Sequence, residues 1–260
     1  MRGNNSNHLR WSLLLLAVIS VTFAVACKRI TEPTVIIGAN TTDPDQLLRQ
    51  MSKKLAQASK LSFKVDRKLD AAVIDGQKLP ENAQIDFAVS RPRKFMVKSD
   101  SQKDVRTAYF DGKTLSIYDR TNNEYATASA PGTIDDVLDD IDEEFDFTPP
   151  LWLFFLNDPY EVLGSEIKSK AYQGKETIAG VECHHLSFGS DEADSEIWIG
   201  TADLLPHKLV ATFKKREGKP KLQAEFSSWN LAASLDDNIF AFVPPKDARK
   251  VEEEEMTRTK

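Results

Sequence analysis

Cysteine is scarce in this sequence, because its 260 residues include only Cys27 and Cys183. A small fold held together by several disulfides is therefore excluded. One disulfide between the two cysteines stays open if the chain is secreted into an oxidising compartment. We prefer a buried free thiol at Cys183, since Cys27 lies in a motif for cleavage of an N-terminal signal peptide.

An excess of basic residues is also missing. Lys and Arg total 34 against 40 Asp and Glu, and the formal net charge is −6. Neither nucleic acid nor an anionic membrane surface is therefore expected to bind this chain by electrostatic attraction. The hydrophobic share of 41% and the charged share of 28% are ordinary for a globular protein, so the sequence predicts one folded domain of roughly 200 residues.

The sequence contains none of the common catalytic motifs. It has no phosphate-binding glycine loop, no His-Glu-x-x-His and no Gly-x-Ser-x-Gly. Its densest group of reactive side chains is Cys183-His184-His185. On a β-strand, Cys183 and His185 face one side and His184 the other, and a three-histidine metal site would also need His207. We therefore predict no catalytic residue, no metal and no cofactor, and expect the strand face with Cys183 to be the more buried.

A long hydrophobic run occurs only near the N-terminus. Arg2 and Arg10 precede an apolar stretch from Trp11 to Ala26. A transmembrane helix needs about 20 apolar residues, so this shorter run with its basic flank predicts a signal peptide over residues 1–26.

The end of that run, Ala24-Val25-Ala26-Cys27, resembles a bacterial lipobox. By this resemblance Cys27 is the first mature residue and is acylated with chains such as palmitate, and Lys28 favours the outer membrane. The same residues also form an Ala-x-Ala site for ordinary signal peptidase, which would release a soluble periplasmic protein. Residues 27–43 contain Thr, Pro, Asn and Asp around a small apolar cluster, Val35-Ile36-Ile37, and are predicted to tether the lipidated cysteine to a domain over residues 44–246. Residues 247–260 contain four consecutive Glu and are predicted to be a disordered charged tail.

Alternating apolar and polar residues predict a large antiparallel sheet. Leu209 and Phe213 share one strand face, and Leu222 and Phe226 share a face of the next strand. Counting two series of such segments gives about eleven strands, with a helical insert from Thr133 to Phe147 between them. A further amphipathic helix is predicted to begin at Thr42-Asp43-Pro44 and to pack on the sheet. The sequence thus predicts a mainly β fold with helices.

The segment of residues 151–156 is apolar throughout. Six consecutive large apolar residues cannot all lie on an exposed face. They either fill the core under the sheet or cover a cavity for an apolar ligand as a lid. Pro149-Pro150 before the segment and Asn157-Asp158-Pro159 after it favour a separately movable flap.

The order of elements and several local motifs resemble DUF2092, an uncharacterised family of predicted periplasmic proteins. That family is in turn similar to the superfamily of the lipoprotein carriers LolA and LolB. The resemblance covers residues 45–246. The motifs that carry it are Tyr172–Leu186, Glu196–Ile199, Leu205-Pro206, Phe226–Asn230 and Phe240–Pro245.

This resemblance implies a LolA-like fold. The expected architecture is an incomplete, curved antiparallel β-barrel of about eleven strands, capped by helices around an apolar cavity that receives acyl chains. Superfamily membership leaves the activity open, because one fold hosts several functions.

Two functions follow as hypotheses. In the first, the chain is an envelope lipoprotein, at the periplasmic face and anchored to the outer membrane, that binds a lipid or an acylated protein without catalysis. In the second, it is a protein–protein interaction or sensor module of the envelope whose cavity is a filled core. The candidate cavity or lid residues are Trp152, Leu153, Phe154, Phe155, Leu156, Leu209, Phe213, Leu222 and Phe226.

Overall fold

The structure is a computed structural model. It describes residues 42–70, 73–74, 77–78, 82–101, 104–145, 151–161, 167–216 and 218–252. The predicted signal peptide, Cys27 and nearly all of the predicted tether lie outside these residues.

The described residues form a large, open sheet of twelve strands, and all but one of its strand pairs are antiparallel. Each of the eleven predicted strands is present. The strands are β1 (Lys60–Leu69), β2 (Val73–Ile74), β3 (Gln77–Lys78), β4 (Asn82–Ser90), β5 (Lys94–Asp100), β6 (Val105–Phe110), β7 (Thr114–Asp119), β8 (Glu124–Ser129), β9 (Ser169–Ile178), β10 (Val181–Gly189), β11 (Ala193–Gly200), β12 (Pro206–Phe213), β13 (Lys221–Asn230) and β14 (Arg249–Lys250).

The sheet order is β14-β8-β7-β6-β5-β4-β1-β13-β12-β11-β10-β9, and β2 and β3 form a separate hairpin. The two predicted strand series are therefore two meanders. Strand β1 joins them, because it pairs with β4 on one side and with β13 on the other. The sheet does not close into a complete barrel, as predicted.

Two α-helices and a short 3-10 helix pack on one side of the sheet, which we call the covered face. Helix α1 (Pro44–Ala56) begins where predicted, with Asp43 as its N-cap accepting a hydrogen bond from the backbone N–H of Asp45 at 2.9 Å. Helix α2 (Ile134–Phe145) begins after Thr133, whose hydroxyl accepts from the backbone N–H of Asp136. No helix in the described parts of the chain is long and apolar enough to cross a bilayer.

The predicted strand register on the covered face is confirmed. Leu222 and Phe226 of β13 are buried there, and Leu209 and Phe213 of β12 pack against the same core. The apolar stripe of α1 and the first turns of α2 complete this core. Its helical members are Leu47, Leu48, Met51, Leu55, Ile134, Val137 and Leu138.

The opposite side, which we call the outer face, carries a small second core. Cys183 is fully buried there, against Trp198 and Val210. The predicted buried free thiol at Cys183 is confirmed. The prediction that its strand face is the more buried is wrong, because His184 and Leu186 are both buried on the other face of β10, whereas His185 and Ser187, which share the face of Cys183, are half-buried.

The folded domain extends beyond the predicted boundary at residue 246. Strand β14 pairs in parallel with β8, and Val251 donates a backbone hydrogen bond to Tyr125 and packs on Ala126. The assignment of residues 247–252 to a disordered tail is therefore wrong. The sequence does not predict β14, because a strand of two basic residues has no alternation of apolar and polar side chains. Residues 253–260 lie outside the described residues.

Helix α1 is held to the sheet by a polar network around Asp45. The side chains of Lys170 and Tyr160 donate hydrogen bonds to Asp45 Oδ1, and Arg49 Nε donates to Oδ2 at 2.8 Å. These bonds, that of Lys170 first, hold the pKa of Asp45 well below its ordinary value. The Arg49 guanidinium also lies 3.9 Å from the centre of the Tyr160 ring. Residues from α1, β9 and the 157–161 segment thus meet at one carboxylate.

The register generates a first prediction. Phe226→Ala should lower the free energy of unfolding by about 3 to 5 kcal/mol, because it leaves a cavity in the covered face. Urea denaturation measures this change. The adjacent, exposed Glu225→Ala is the control and should stay within about 0.5 kcal/mol of wild type. A loss below about 1 kcal/mol for Phe226→Ala would contradict the register, since a one-residue slip exchanges the two faces.

The Asp45 network generates a second prediction, on pH. A carboxyl group whose pKa is lowered by folding adds stability above its unfolded pKa of about 3.9, and this stability is lost as the pH falls toward the folded value. Asp45→Asn should therefore lower the free energy of unfolding by about 1 kcal/mol at neutral pH, and the difference from wild type should shrink below about pH 4.

Denaturant titrations of both proteins at neutral pH and near pH 3 measure that difference. Asp86→Asn is the matched control, because Asp86 makes one exposed ion pair, with Lys64 at 3.3 Å. Asp86→Asn should lower the free energy of unfolding at neutral pH by less than Asp45→Asn does. An equal loss at both pH values for Asp45→Asn would show that packing, rather than charge, explains the role of Asp45.

Candidate functional site

The apolar segment of residues 151–156, which we call the flap, lies on the covered face. Trp152–Phe155 form a single turn of 3-10 helix. Leu151 has a φ of 74°, in the left-handed region that leucine rarely adopts. Its carbonyl accepts from the N–H of Phe154 at a long 3.3 Å. A helix this short has few backbone hydrogen bonds of its own, so side-chain contacts hold the flap in place.

Two aromatic rings of the flap occupy the middle of the covered face. Phe154 is 0% exposed and meets the edge of Phe226, with ring centres 4.7 Å apart. Phe155 is 3% exposed and lies 5.7 Å from Phe87 and 5.4 Å from Phe95. These separations are typical of packed aromatic pairs. The flap rings therefore fill the space in which the sequence predicts an apolar cavity.

All nine candidate cavity or lid residues belong to this single core. Besides Phe154 and Phe155, the buried members are Leu156, Leu222 and Phe226. The half-buried members, packed against the same core, are Trp152, Leu153, Leu209 and Phe213. The structure brings them together, and their role as ligand contacts stays a prediction.

Beneath the flap, the sheet has an aromatic stack of its own. Phe63 of β1 lies 4.4 Å from Phe87 of β4 and 4.2 Å from Trp229 of β13, with nearly parallel rings in both pairs. The indole N–H of Trp229 donates to the carbonyl oxygen of Pro206 at 2.9 Å. The positions of these rings are therefore set by the pairing of β1 with β4 and β13.

Polar contacts fix the C-terminal end of the flap. Arg91, which directly follows β4, donates from Nη2 to the carbonyl oxygen of Leu156 at 2.7 Å. The backbone N–H of Asn157 donates to Asp135 Oδ1 at 3.0 Å. The following residues dock on α1, where the N–H of Tyr160 donates to the Ser52 hydroxyl at 2.9 Å.

Arg91 is a functional candidate that the sequence analysis missed. Its Nε and Nη1 atoms are buried and have no hydrogen-bond partner among the described residues. Burial lowers the pKa of Arg91 to about 10, partly opposed by the charge of Asp135, so the side chain stays cationic at neutral pH. The sequence marks Arg91-Pro92 as a turn, which gives no sign that the guanidinium points inward.

The reactive side chains around Cys183 are each held in a separate local contact. Burial raises the pKa of Cys183 to about 11, so it is a neutral thiol and a poor nucleophile at neutral pH. His184 meets the Tyr172 hydroxyl, His185 lies between two glutamates, and His207 pairs with Asp203. Among the residues that the structure describes, no three His, Cys, Asp or Glu side chains are placed to hold a metal ion.

A groove of about 510 Å³ lies away from the flap, beside β9 and β10. It is lined by mostly polar residues, among them Gln173, His185, Ser187 and Glu196. The His185 ring is fixed there, with Nε2 2.8 Å from Glu196 Oε2 and its face stacked on Trp198 at 4.2 Å. None of the nine apolar candidates lines this groove, and its polar lining does not suit an apolar ligand.

Three known proteins show what the chain is similar to. The uncharacterized protein MJ0687 of Methanocaldococcus jannaschii is 23% identical over 219 residues, which are 83% of this chain and 56% of that protein. The chain therefore spans little more than half the length of this relative.

Two solved structures share only low sequence identity with the chain. Lipoprotein LppX of Mycobacterium tuberculosis is 14% identical with a TM-score of 0.48, and the match covers 76% of this chain and all of that one. The LolA superfamily protein NE2245 of Nitrosomonas europaea is 8% identical with a TM-score of 0.34, over 76% of this chain and 98% of that one.

The chain also matches a protein family. The model of DUF2092, described as a predicted periplasmic protein, matches residues 44–253, which is well over half of the chain. The match includes both meanders, the flap and β14, and it agrees with the resemblance expected from the sequence motifs. The chain belongs to the DUF2092 family of predicted periplasmic proteins.

Proposed function

We propose that this protein binds an apolar ligand, a lipid or the acyl chains of a lipoprotein, on the covered face of its sheet and carries out no chemistry on it. The observation that supports the proposal is the division of the aromatic core. Phe63, Phe87 and Trp229 are held by strands, whereas Phe154 and Phe155 come from one short flap. A ligand that displaces the flap would meet an aromatic surface already in place.

The exchange of flap for ligand is physically reasonable, because it replaces one set of apolar contacts by another. Moving Phe154 and Phe155 away from Phe226, Phe87 and Phe95 exposes five rings. An acyl chain laid on the same surface restores burial at about 0.8 kcal/mol per methylene. On this proposal, the structure corresponds to the state in which the flap is closed.

A second function is supported by a different property of the same core. The flap rings lie 4.7 to 5.7 Å from the sheet rings, as in a permanently filled core. In that case the domain is an interaction or sensor module of the envelope, which presents its surface to a partner protein. The two functions differ in whether the flap opens.

The flap generates a third prediction. Phe155→Ala should bind a neutral, fluorescently labelled dodecanoyl amide about fivefold or more tightly than wild type. The variant weakens the closed state, and apparent affinity rises with the fraction of molecules that are open. Fluorescence anisotropy measures the dissociation constant, and urea denaturation measures the accompanying loss of stability.

Phe110→Ala is the matched control for that experiment. Phe110 is buried in β6 and lies 5.4 Å from Phe95, the same separation as Phe155, but it does not belong to the flap. Its truncation should cost a similar stability of about 3 to 5 kcal/mol and should not tighten binding. If neither wild type nor Phe155→Ala binds the probe, the ligand-binding proposal fails and the filled-core module remains. Equal tightening by both variants would refute the flap as the gate.

We also propose that acylation of Cys27 anchors the domain at the periplasmic face of the outer membrane, because Ala24–Cys27 resembles a lipobox. Secretion as a soluble periplasmic protein is the alternative. Several acyl chains hold a protein on a bilayer far more firmly than one chain does, at about 0.8 kcal/mol per buried methylene.

The anchor generates a fourth prediction. Cys27→Ser should abolish labelling by radioactive palmitate and move the protein from the membrane fraction to the soluble periplasmic fraction. Cys183→Ser is the matched control, since Cys183 is buried in the domain and should not change the fractionation. Unchanged fractionation of Cys27→Ser would contradict the lipoprotein assignment.

A further inference from the structure

The guanidinium group of Arg91 is a charged donor that the fold uses only in part. Of its three nitrogens, Nη2 donates to Leu156, while Nε and Nη1 are buried without a partner among the described residues. Unpaired buried donors are rare in folded proteins, because each loses its hydration without compensation. Their presence beside the flap suggests a partner from outside the chain.

The neighbouring acid does not fill that role in the closed state. Asp135 is close enough to stabilise the charge of Arg91, but the described residues show no hydrogen bond between the two side chains. Asp135 Oδ1 instead accepts from the backbone N–H of Asn157. Asp135 therefore partly balances the charge of Arg91, but it does not accept a hydrogen bond from Nε or Nη1.

Opening of the flap would make Arg91 a more complete anion site. The carbonyl of Leu156 belongs to the flap, so displacement of the flap releases Nη2 as well as exposing Nε and Nη1. A guanidinium then presents parallel N–H donors that match the two oxygens of a carboxylate or phosphate. The backbone N–H of Arg91 bonds to Ser59, so the base of the side chain stays fixed at the sheet.

Arg91 lies beside the apolar core of the covered face. Its hydrogen-bond partner Leu156 follows Phe155, whose ring lies against Phe87 and Phe95 in the core. An acyl chain that replaces Phe155 would end close to the guanidinium.

We propose that Arg91 binds the anionic head group, a carboxylate or phosphate, of the acyl ligand that occupies the covered face. This assignment rests on the proposed function and adds to it a preference for anionic over neutral amphiphiles. A neutral chain of the same length satisfies the apolar surface but leaves the released guanidinium without a partner. The protein should therefore prefer the anionic ligand.

Isothermal titration calorimetry with dodecanoate, dodecyl phosphate, dodecan-1-ol and inorganic phosphate tests the proposal on the folded domain. Wild type should bind dodecanoate or dodecyl phosphate about tenfold or more tightly than dodecan-1-ol, and inorganic phosphate should give no measurable binding. Arg91→Gln should bring the ratio of the anion and alcohol dissociation constants close to one. The ratio is the readout because any loosening of the flap by the substitution affects both ligands alike.

Arg93→Gln is the matched control, because Arg93 lies two residues away and is exposed. It removes the same charge and should keep the wild-type ratio. Equal binding of anion and alcohol by wild type would overturn the role of Arg91 while leaving the proposed function intact, and this comparison holds even if Arg91→Gln does not fold. Inorganic phosphate binding as tightly as dodecyl phosphate would also overturn it. Absence of binding by every amphiphile would instead refute the proposed function.

Discussion

An open sheet with one apolar face has to be covered, and this requirement organises the rest of the domain. Pairing of β1 with β13 joins the two meanders and places Phe63, Phe226 and Trp229 in one continuous aromatic surface. Such a surface cannot remain in contact with water without a large free-energy cost. Helix α1, helix α2 and the flap provide the cover. The two helices hold their own backbone hydrogen bonds, while the flap contributes mainly side chains.

Charged groups set the edges of this cover. Asp45 collects hydrogen bonds from α1, from β9 and from the residues that follow the flap. At the other end, Arg91 connects the sheet to the last carbonyl of the flap. The Asp45 carboxylate has hydrogen-bond donors on both oxygens. Because the group and its partners are partly exposed, solvent screens their charges, and the contribution of this network to stability is modest. Arg91 is different, since two of its three nitrogens are buried without a hydrogen-bond partner among the described residues. A ligand that accepts hydrogen bonds from such buried donors removes their desolvation cost and so gains binding free energy.

The sequence predicts the parts of this fold that local patterns determine. Alternation places Leu222 and Phe226 on the covered face, and the cap at Asp43 places the start of α1. It does not predict β14, because a strand of two basic residues, Arg249 and Lys250, has no alternation of apolar and polar residues. The burial of Cys183 is predicted, but its packing partners Trp198 and Val210 are not, because they come from two later strands. The inward position of Arg91 is equally invisible, since its acceptor is 65 residues away in the chain. The apolar flap is evident from composition, whereas the ring contacts that fill the predicted cavity are not.

Competition between flap and ligand would set the kind of ligand that the proposed site accepts. Burial of two phenylalanine rings contributes about 3 to 6 kcal/mol, at about 1.5 to 3 kcal/mol each. At about 0.8 kcal/mol per methylene, a ligand needs roughly four to eight buried methylenes only to replace the flap, before it gains any net affinity. Short fatty acids would therefore leave the flap closed. On this mechanism, Phe154 and Phe155 stabilise the empty domain and also impose a minimum chain length, and an ionic contact at Arg91 lowers that minimum for ligands with a charged head group.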